Sequence, residues 1–195
     1  MKFFGYSFGA VEMLISLNVI LFIVTISEPE YLISNFGLQP SSFFERPWTL
    51  ITSMFLHAGI NHLFANMLTL FFFGLYVEQL LGERKFLEIY FLGGVVGSLF
   101  YLFLAPVNSI AVGASGAIFA IGGTLAVLRP HLKVIVFPIP VPISLWVSVI
   151  IGFIFLSFMP GVAWQGHLGG LLVGLIFGYM LKKKYSAPVF SVGEY

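Results

Sequence analysis

Apolar residues dominate four long stretches of the chain that contain no lysine, arginine, aspartate or glutamate. These stretches cover residues 13–27, 47–77, 89–128 and 134–181. A transmembrane helix needs about 20 apolar residues, so each of the last two stretches is long enough for two helices. Pro106 to Ser109 and Met159 to Gly161 divide them, because such residues end helices and favour turns. The pattern therefore predicts six helical spans, at about 11–28, 58–80, 86–105, 115–129, 140–158 and 164–181.

The composition indicates a membrane protein. Hydrophobic residues make up 59% of the chain and charged residues only 9%, far from the balance of a soluble domain. We interpret residues 1–195 as one all-α membrane domain, a polytopic six-helix bundle with a short basic tail at 182–195. The first apolar run ends without a small-residue cleavage site, so we expect it to be a retained span rather than a signal peptide.

Basic residues predict the orientation of this bundle. Of the 9 lysines and arginines, all but Arg46 lie at the termini or in the second and fourth connections. The positive-inside rule then places both termini in the cytoplasm. The first connection, at about 28–57, faces outward on this prediction. It is long and contains several aromatic residues, so we expect it to be partly embedded in the membrane interface.

Several chemistries are excluded by residues that the chain lacks. There is no cysteine and no aspartate, which excludes disulfides, thiol catalysis, a Ser-His-Asp triad and a paired-aspartate mechanism. No His-Glu-x-x-His motif is present, so a zinc protease of that type is excluded. The net charge is +1, and the chain has no nucleotide-binding loop or basic stripe. We therefore expect no metal, no cofactor, no nucleotide and no nucleic acid partner.

Four polar side chains lie inside the predicted spans at a similar depth. At 1.5 Å per helical residue, Ser115 lies about 21 Å from the charge at Arg129, and His167 about 22 Å from the lysines that follow it. His62 and Asn66 lie about 24 and 18 Å from Glu78 and share one helix face, because they are four residues apart. Polar groups at membrane depth are costly and are functional candidates by default.

Ser115 lies in the sequence VGASGAIFAIGG, residues 112–123, and opens a span of only 14 residues. A helix this short does not cross a membrane alone, so we expect residues 106–114 to form a loop that dips into the protein or lines a cavity. The serine then lies at a helix N-terminus. The free N–H groups and the helix dipole there favour developing negative charge.

Each candidate residue also has a structural explanation. Gly-x-Ser-Gly alone is more typical of close helix packing than of catalysis, as are the glycines at 166, 170, 174 and 178. A lone His167 is more often an interhelical hydrogen-bonding group or part of a transport pathway. His57 and His131 lie near span ends, where we expect them to be solvated or interfacial.

The combination favours chemistry. Serine hydrolysis needs a nucleophile, a base within reach and donors for an oxyanion, and the four residues supply all three at one depth. Without an aspartate, the remaining possibility is a dyad of Ser115 and His167. Its imidazole would be oriented by packing, and Phe119 is the candidate, since it lies one turn after Ser115 on the same face.

The motifs in these spans match a known family. The chain resembles the rhomboid intramembrane serine proteases, in their six-span prokaryotic form, over nearly its whole length. The matching motifs are His57-x4-His62-x3-Asn66, Gly113-Ala114-Ser115-Gly116 and Gly166-His167-x2-Gly170, together with Trp48, Thr52, Glu78 and Gly82. Their order, spacing and placement on the spans agree together.

The resemblance implies a role for each matched residue. Ser115 is then the nucleophile and His167 its general base. His62, Asn66 and the backbone N–H of Ser115 form the oxyanion hole, and Gly113 shapes the turn. The implied reaction is hydrolysis of a peptide bond in or near the outer end of a substrate's transmembrane helix. Substrates would be membrane proteins, mainly with one span, entering sideways beside the second and fifth spans. The implied location is a prokaryotic cell (inner) membrane.

Two departures from the family pattern and two alternatives remain open. The family often has Trp-Arg in the first loop where this chain has Arg46-Pro47-Trp48-Thr49, and some members have tyrosine at the position of Phe119. One alternative is an inactive rhomboid-like protein that binds membrane clients. The other is a small transporter or channel that uses the intramembrane histidines for proton or ion movement.

Overall fold

Helices account for most of the chain in the computed structural model, which describes residues 2–3, 6–136 and 141–185. Apolar runs bounded by Pro and Gly form them, as expected for backbone that must satisfy its own hydrogen bonds in lipid. The helices are α1 (Ala10–Ser27), α2 (Pro29–Phe36), α3 (Thr49–Thr52), α4 (Ile60–Thr69), α5 (Leu75–Leu81), α6 (Glu83–Leu104), α7 (Ser115–Leu128), α8 (Leu145–Ser157) and α9 (Trp164–Tyr185).

In the part of the chain that the structure describes, short strands add two antiparallel ribbons to this all-α fold. One pairs β1 (Lys2–Phe3) with β2 (Tyr6–Ser7), and the other pairs β3 (Lys133–Val134) with β4 (Ile143–Ser144). The second ribbon corrects the predicted fifth span. Residues 141–144 are not helical, because β4 pairs with β3, and α8 begins at Leu145 rather than at 140. Residue 140 itself lies outside the described residues.

Among the described residues, three helical segments are long and apolar enough to cross a membrane by length and composition. They are Ala10–Ser27, Ile60–Leu81 and Glu83–Leu104. The middle segment joins α4 and α5 through a π-helical turn, Leu70–Gly74. α7 and α8 are shorter apolar helices, of 14 and 13 residues. The six-span count and the cytoplasmic termini stay predictions.

α7 is the central helix and packs against both α6 and α9. Small residues let these backbones approach closely. A Cβ added to Gly93 on α6 would lie 2.2 Å from the Cβ of Ala120, and one added to Gly174 on α9 would lie 2.1 Å from the carbonyl oxygen of Ala120. Both distances are shorter than any real Cβ contact. Glycine at these positions therefore allows α6, α7 and α9 to pack closely. Close packing matters in lipid, where helices do not associate through the hydrophobic effect.

Glu78 connects the second helical segment to the start of the first. Its carboxylate accepts hydrogen bonds from the backbone N–H groups of Ala10 and Val11, at 2.9 and 3.4 Å. These donors have no partner within α1, since they belong to its first turn. The cap therefore holds α1 against α5. Gly82 then adopts a φ of 87°, which lets the chain turn directly into α6.

The first connection forms a folded unit around the C-terminal end of α2. The indole N–H of Trp48 donates to the carbonyl of Asn35 at 3.0 Å, and the hydroxyl of Thr52 donates to that of Phe36 at 2.7 Å. The guanidinium of Arg46 donates to the same end of the helix. The altered motif of this chain thus still supplies donors to the orphan carbonyls of α2. Embedding of this unit in the interface stays a prediction.

Candidate active site

Ser115 is the first residue of α7 and follows a tight turn. Gly113 has a φ of 128°, a conformation that residues with a side chain rarely adopt. Its N–H donates to the carbonyl of Ser53 at 2.8 Å, which fixes the turn against the first connection. A Cβ on Gly113 would also lie 2.8 Å from Nε2 of His62. Both conformation and space therefore require glycine two residues before the serine.

The segment before this turn is braced from two sides. Leu38 and Ala111 exchange backbone hydrogen bonds of 3.0 and 2.9 Å. The hydroxyl of Tyr101 on α6 donates to that of Ser109 at 2.6 Å. Residues 106–108 and 110 are exposed, whereas 111–113 are half-buried and Ala114 is buried. The expected dip into the protein is thus limited to the last residues before Ser115.

His167 lies in the first turn of α9, 5% exposed, and faces Ser115. Its Nε2 is 2.7 Å from the serine Oγ, a short hydrogen bond. This distance depends on the close contact of α7 with α9. A Cβ added to Gly170 would lie 1.9 Å from the carbonyl oxygen of Gly116. A larger residue at 170 would separate the helices and with them the two side chains.

Phe119 lies against the imidazole of His167. The ring centroids are 4.6 Å apart and the planes are inclined by 32°. Phe153 on α8 contacts the ring of Phe119 edge-on, and their centroids are 5.9 Å apart. Nδ1 of His167 is buried and has no hydrogen-bond partner among the described residues. Among the described residues, the imidazole is therefore held by aromatic packing and not by a carboxylate bonded to Nδ1, unlike the histidine of a triad.

His62 approaches the serine from α4. Its Nδ1 accepts a hydrogen bond of 3.4 Å from the N–H of Ala58, so a neutral ring carries its proton on Nε2. That atom is the one beside Gly113. Asn66 is buried, and its amide N–H donates to the carbonyl of His62 at 2.8 Å. Within the part of the chain that the structure describes, the Asn66 amide makes no hydrogen bond to Ser115 or His167.

His57 is buried, in contrast to the position that the sequence predicted. Only 1% of the residue is exposed, and its ring lies 5.0 Å from that of His62. Burial results from the fold of residues 53–57, which turn inward after the first connection. The solvated or interfacial position predicted for His57 is therefore wrong. Its place in the His57-x4-His62 pattern was the available signal, because one polar residue close to another at membrane depth indicates a shared polar site.

A small cavity lies beside the serine. Its volume is about 40 Å³, and its lining includes the Oγ-bearing residues Ser53, Ser98 and Ser115 as well as Tyr101 and His167. A polar cavity needs only about 10–15 Å³ to hold a water molecule. The site therefore combines a hydroxyl, an imidazole, an N–H donor and room for water in a mainly apolar bundle.

These features define an apolar helical protein in which a half-buried serine is hydrogen-bonded to a buried histidine. A family model, the Rhomboid domain, matches residues 45–184. The chain belongs to the rhomboid family, and the resemblance drawn from its motifs is confirmed.

Individual relatives agree with this assignment. Rhomboid protein 1, mitochondrial, from Saccharomyces cerevisiae is 32% identical over 154 residues, 69% of this chain and 42% of that protein. YdcA from Bacillus subtilis is 31% identical over 146 residues, 70% of this chain and 68% of that protein. Rhomboid protease GluP from the same organism is 35% identical over 142 residues, 71% and 27% of the two chains. This chain thus spans less than half of two of these relatives, and another relative, from Arabidopsis thaliana, is named inactive.

Proposed function

We propose that this protein is an intramembrane serine endopeptidase that uses a dyad of Ser115 and His167. The 2.7 Å separation of the Ser115 Oγ and the His167 Nε2 is the observation that carries the proposal. A nucleophile and a base within hydrogen-bond reach, with the base oriented by a third group, are the signature of nucleophilic catalysis. Phe119 is the orienting group in this site.

The reaction has two halves. Oγ of Ser115 attacks the carbonyl carbon of the scissile bond while its proton passes to Nε2 of His167. The tetrahedral intermediate then breaks its C–N bond, and Nε2 returns the proton to the leaving amine. A water molecule attacks the acyl-enzyme, gives a proton to Nε2, and releases Oγ, which takes that proton back. The cavity beside Ser115 supplies the space for this water.

The oxyanion of both halves is stabilised by donors from the start of α7 and from α4. The N–H of Ser115 is free of helical partners, since it belongs to the first turn. Nε2–H of His62 lies on the other side of the turn, beside Gly113. One amide proton of Asn66 is held by the carbonyl of His62, and the second amide proton is the third donor. Fixed donors in a water-poor site are usually the largest contribution to catalysis.

Substrates of this enzyme are membrane proteins with one span, cleaved in or near the outer end of that span. A peptide bond within a helix is shielded, so residues that unwind it should favour cleavage. The exposed apolar side chains on α4 and α8, such as Phe64 and Ile154, suit entry from the lipid side. The six-span topology with cytoplasmic termini and a prokaryotic cell membrane location are part of the same proposal.

A covalent test examines the dyad directly. A fluorophosphonate probe should label wild-type protein in detergent, and Ser115→Ala and His167→Ala should abolish both labelling and cleavage of a model single-span substrate. Cleavage that survives Ser115→Ala in purified protein would exclude the mechanism. An inactive client-binding protein would bind the substrate without labelling. A transporter would show liposome flux that responds to His167→Ala and not to Ser115→Ala.

A further inference from the structure

The two residues of the dyad belong to different helices, so their distance depends on how α7 and α9 are aligned. Along most of the contact these helices meet through backbone and small residues, such as Gly116 against Gly170 and Ala120 against Gly174. Such surfaces determine how close two helices come. Surfaces of small residues resist sliding of one helix along the other less well than surfaces with large side chains do, because they have few side chains that interlock.

Thr124 forms a directional contact across this surface. The residue is fully buried, and its Oγ1 lies 2.9 Å from the carbonyl of Ala120 on its own helix and 3.1 Å from that of Gly174 on α9. One hydroxyl proton is thus shared between two carbonyls in a three-centre bond. The bond to Ala120 alone would satisfy the hydroxyl, so the bond to Gly174 is an additional link between the helices.

The position of this link couples it to the dyad. Thr124 lies about 13 Å along α7 from Ser115, and Gly174 lies about 10 Å along α9 from His167. Helical segments of two to three turns are stiff, so a shift of α9 at Gly174 is transmitted to His167. The guanidinium of Arg129 also donates to the carbonyl of Tyr185 on α9, at 2.6 Å. That link lies farther from the dyad, and its long side chain allows more movement.

We propose that Thr124 is a positioning residue that sets the axial alignment of α9 on α7 and thereby the distance between Ser115 and His167. The proposal rests on the proposed function, since it concerns the same dyad. A misplacement of catalytic groups by about 1 Å can lower the reaction rate about 10²-fold. Loss of the Thr124 hydroxyl should let α9 shift by a shorter distance and lower the rate about tenfold.

The chain offers a matched control. Thr25 is also buried in a helix, at 3% exposure, and its hydroxyl donates to the carbonyl of Leu21 four residues earlier, at 2.7 Å. Within the described residues this hydroxyl makes no hydrogen bond to a second helix. Thr25→Val therefore removes the same hydroxyl from a buried position in a different helix, α1, without touching the contact between α7 and α9.

The experiment compares Thr124→Val, Thr124→Ser and Thr25→Val with wild type. Valine keeps the shape of threonine, and serine keeps the hydroxyl. We expect Thr124→Val to lower kcat and the fluorophosphonate labelling rate about tenfold with KM unchanged. Thr124→Ser should stay within about twofold of wild type, as should Thr25→Val.

A second measurement does not depend on catalysis. The ¹⁵N NMR signals of the His167 ring report its hydrogen bond to Ser115, and Thr124→Val should shift them while Thr25→Val should not. Unchanged kcat and unchanged ring signals in Thr124→Val would overturn the positioning role and leave the dyad intact. Wild type that is neither labelled nor active would overturn the proposed function instead, whereas the ring signals would still test the alignment. Equal losses in Thr124→Val and Thr25→Val would assign the effect to helix stability.

Discussion

The contact between Phe119 and His167 allows a quantitative prediction. In the proposed mechanism the imidazole becomes a cation, and no carboxylate of the described residues is hydrogen-bonded to its Nδ1. The ring of Phe119 lies against the imidazole, and the two ring centroids are 4.6 Å apart. A cation within about 6 Å of an aromatic face gains about 0.5–2 kcal/mol, with the larger values in desolvated sites. Because about 1.4 kcal/mol corresponds to a tenfold rate difference, loss of the ring should slow the reaction by about 2- to 30-fold.

Phe119→Leu removes this ring and keeps an apolar side chain of similar size. We expect a lower kcat and slower fluorophosphonate labelling, both within the range above. Phe119→Tyr should retain most of the wild-type rate, because its ring has the same face. Thermal unfolding in the same detergent would exclude a loss of folded protein.

Phe153→Leu is the matched control for the same experiment. Phe153 contacts the ring of Phe119 edge-on, at 5.9 Å. Its replacement should therefore leave the labelling rate within about twofold of wild type. Wild-type rates in Phe119→Leu would refute the idea that this ring supports the imidazolium. An equal loss in Phe119→Leu and Phe119→Tyr would instead indicate that packing volume, and not the aromatic face, is what matters.

Three further predictions follow from the site and its supports. Gly113→Ala should abolish labelling and cleavage, because the added Cβ would lie 2.8 Å from the His62 ring and a φ of 128° is strained for alanine. Thermal unfolding should show that the variant is folded, and an active variant would contradict the role of this turn. His62→Ala and Asn66→Ala should each lower kcat by about 10²–10³ with little change in KM, and a pure KM effect would exclude a role at the oxyanion. Glu78→Gln should destabilise the protein by about 1 kcal/mol in denaturant unfolding through the weaker cap on α1, whereas Glu45→Gln, on an exposed side chain outside the α-helices, should have no effect.

Most helices could be predicted from the sequence, because a lipid environment leaves the backbone few alternative structures. Uncharged runs of sufficient length become helices, since backbone groups in lipid have no other partner, and α7 and α9 begin at the predicted Ser115 and Trp164. The candidate residues were recognisable for the same reason, because a polar residue at membrane depth is rare. The start of the fifth helix was not readable, since pairing of β4 with β3 is a contact between distant residues that periodicity does not reveal.

The amino-acid sequence by itself therefore determined the class of protein, the family, the approximate bounds of the main helices and the residues of the candidate site. Tertiary structure decided how these residues meet. The 2.7 Å contact of Ser115 with His167 depends on where glycines of two separate helices touch, and the burial of His57 depends on the inward turn of the first connection. The link from Thr124 to α9 was equally hidden, because a threonine in an apolar run gives no sign of a second acceptor. Spacing along the chain orders residues within a helix, but distances between helices follow from packing alone.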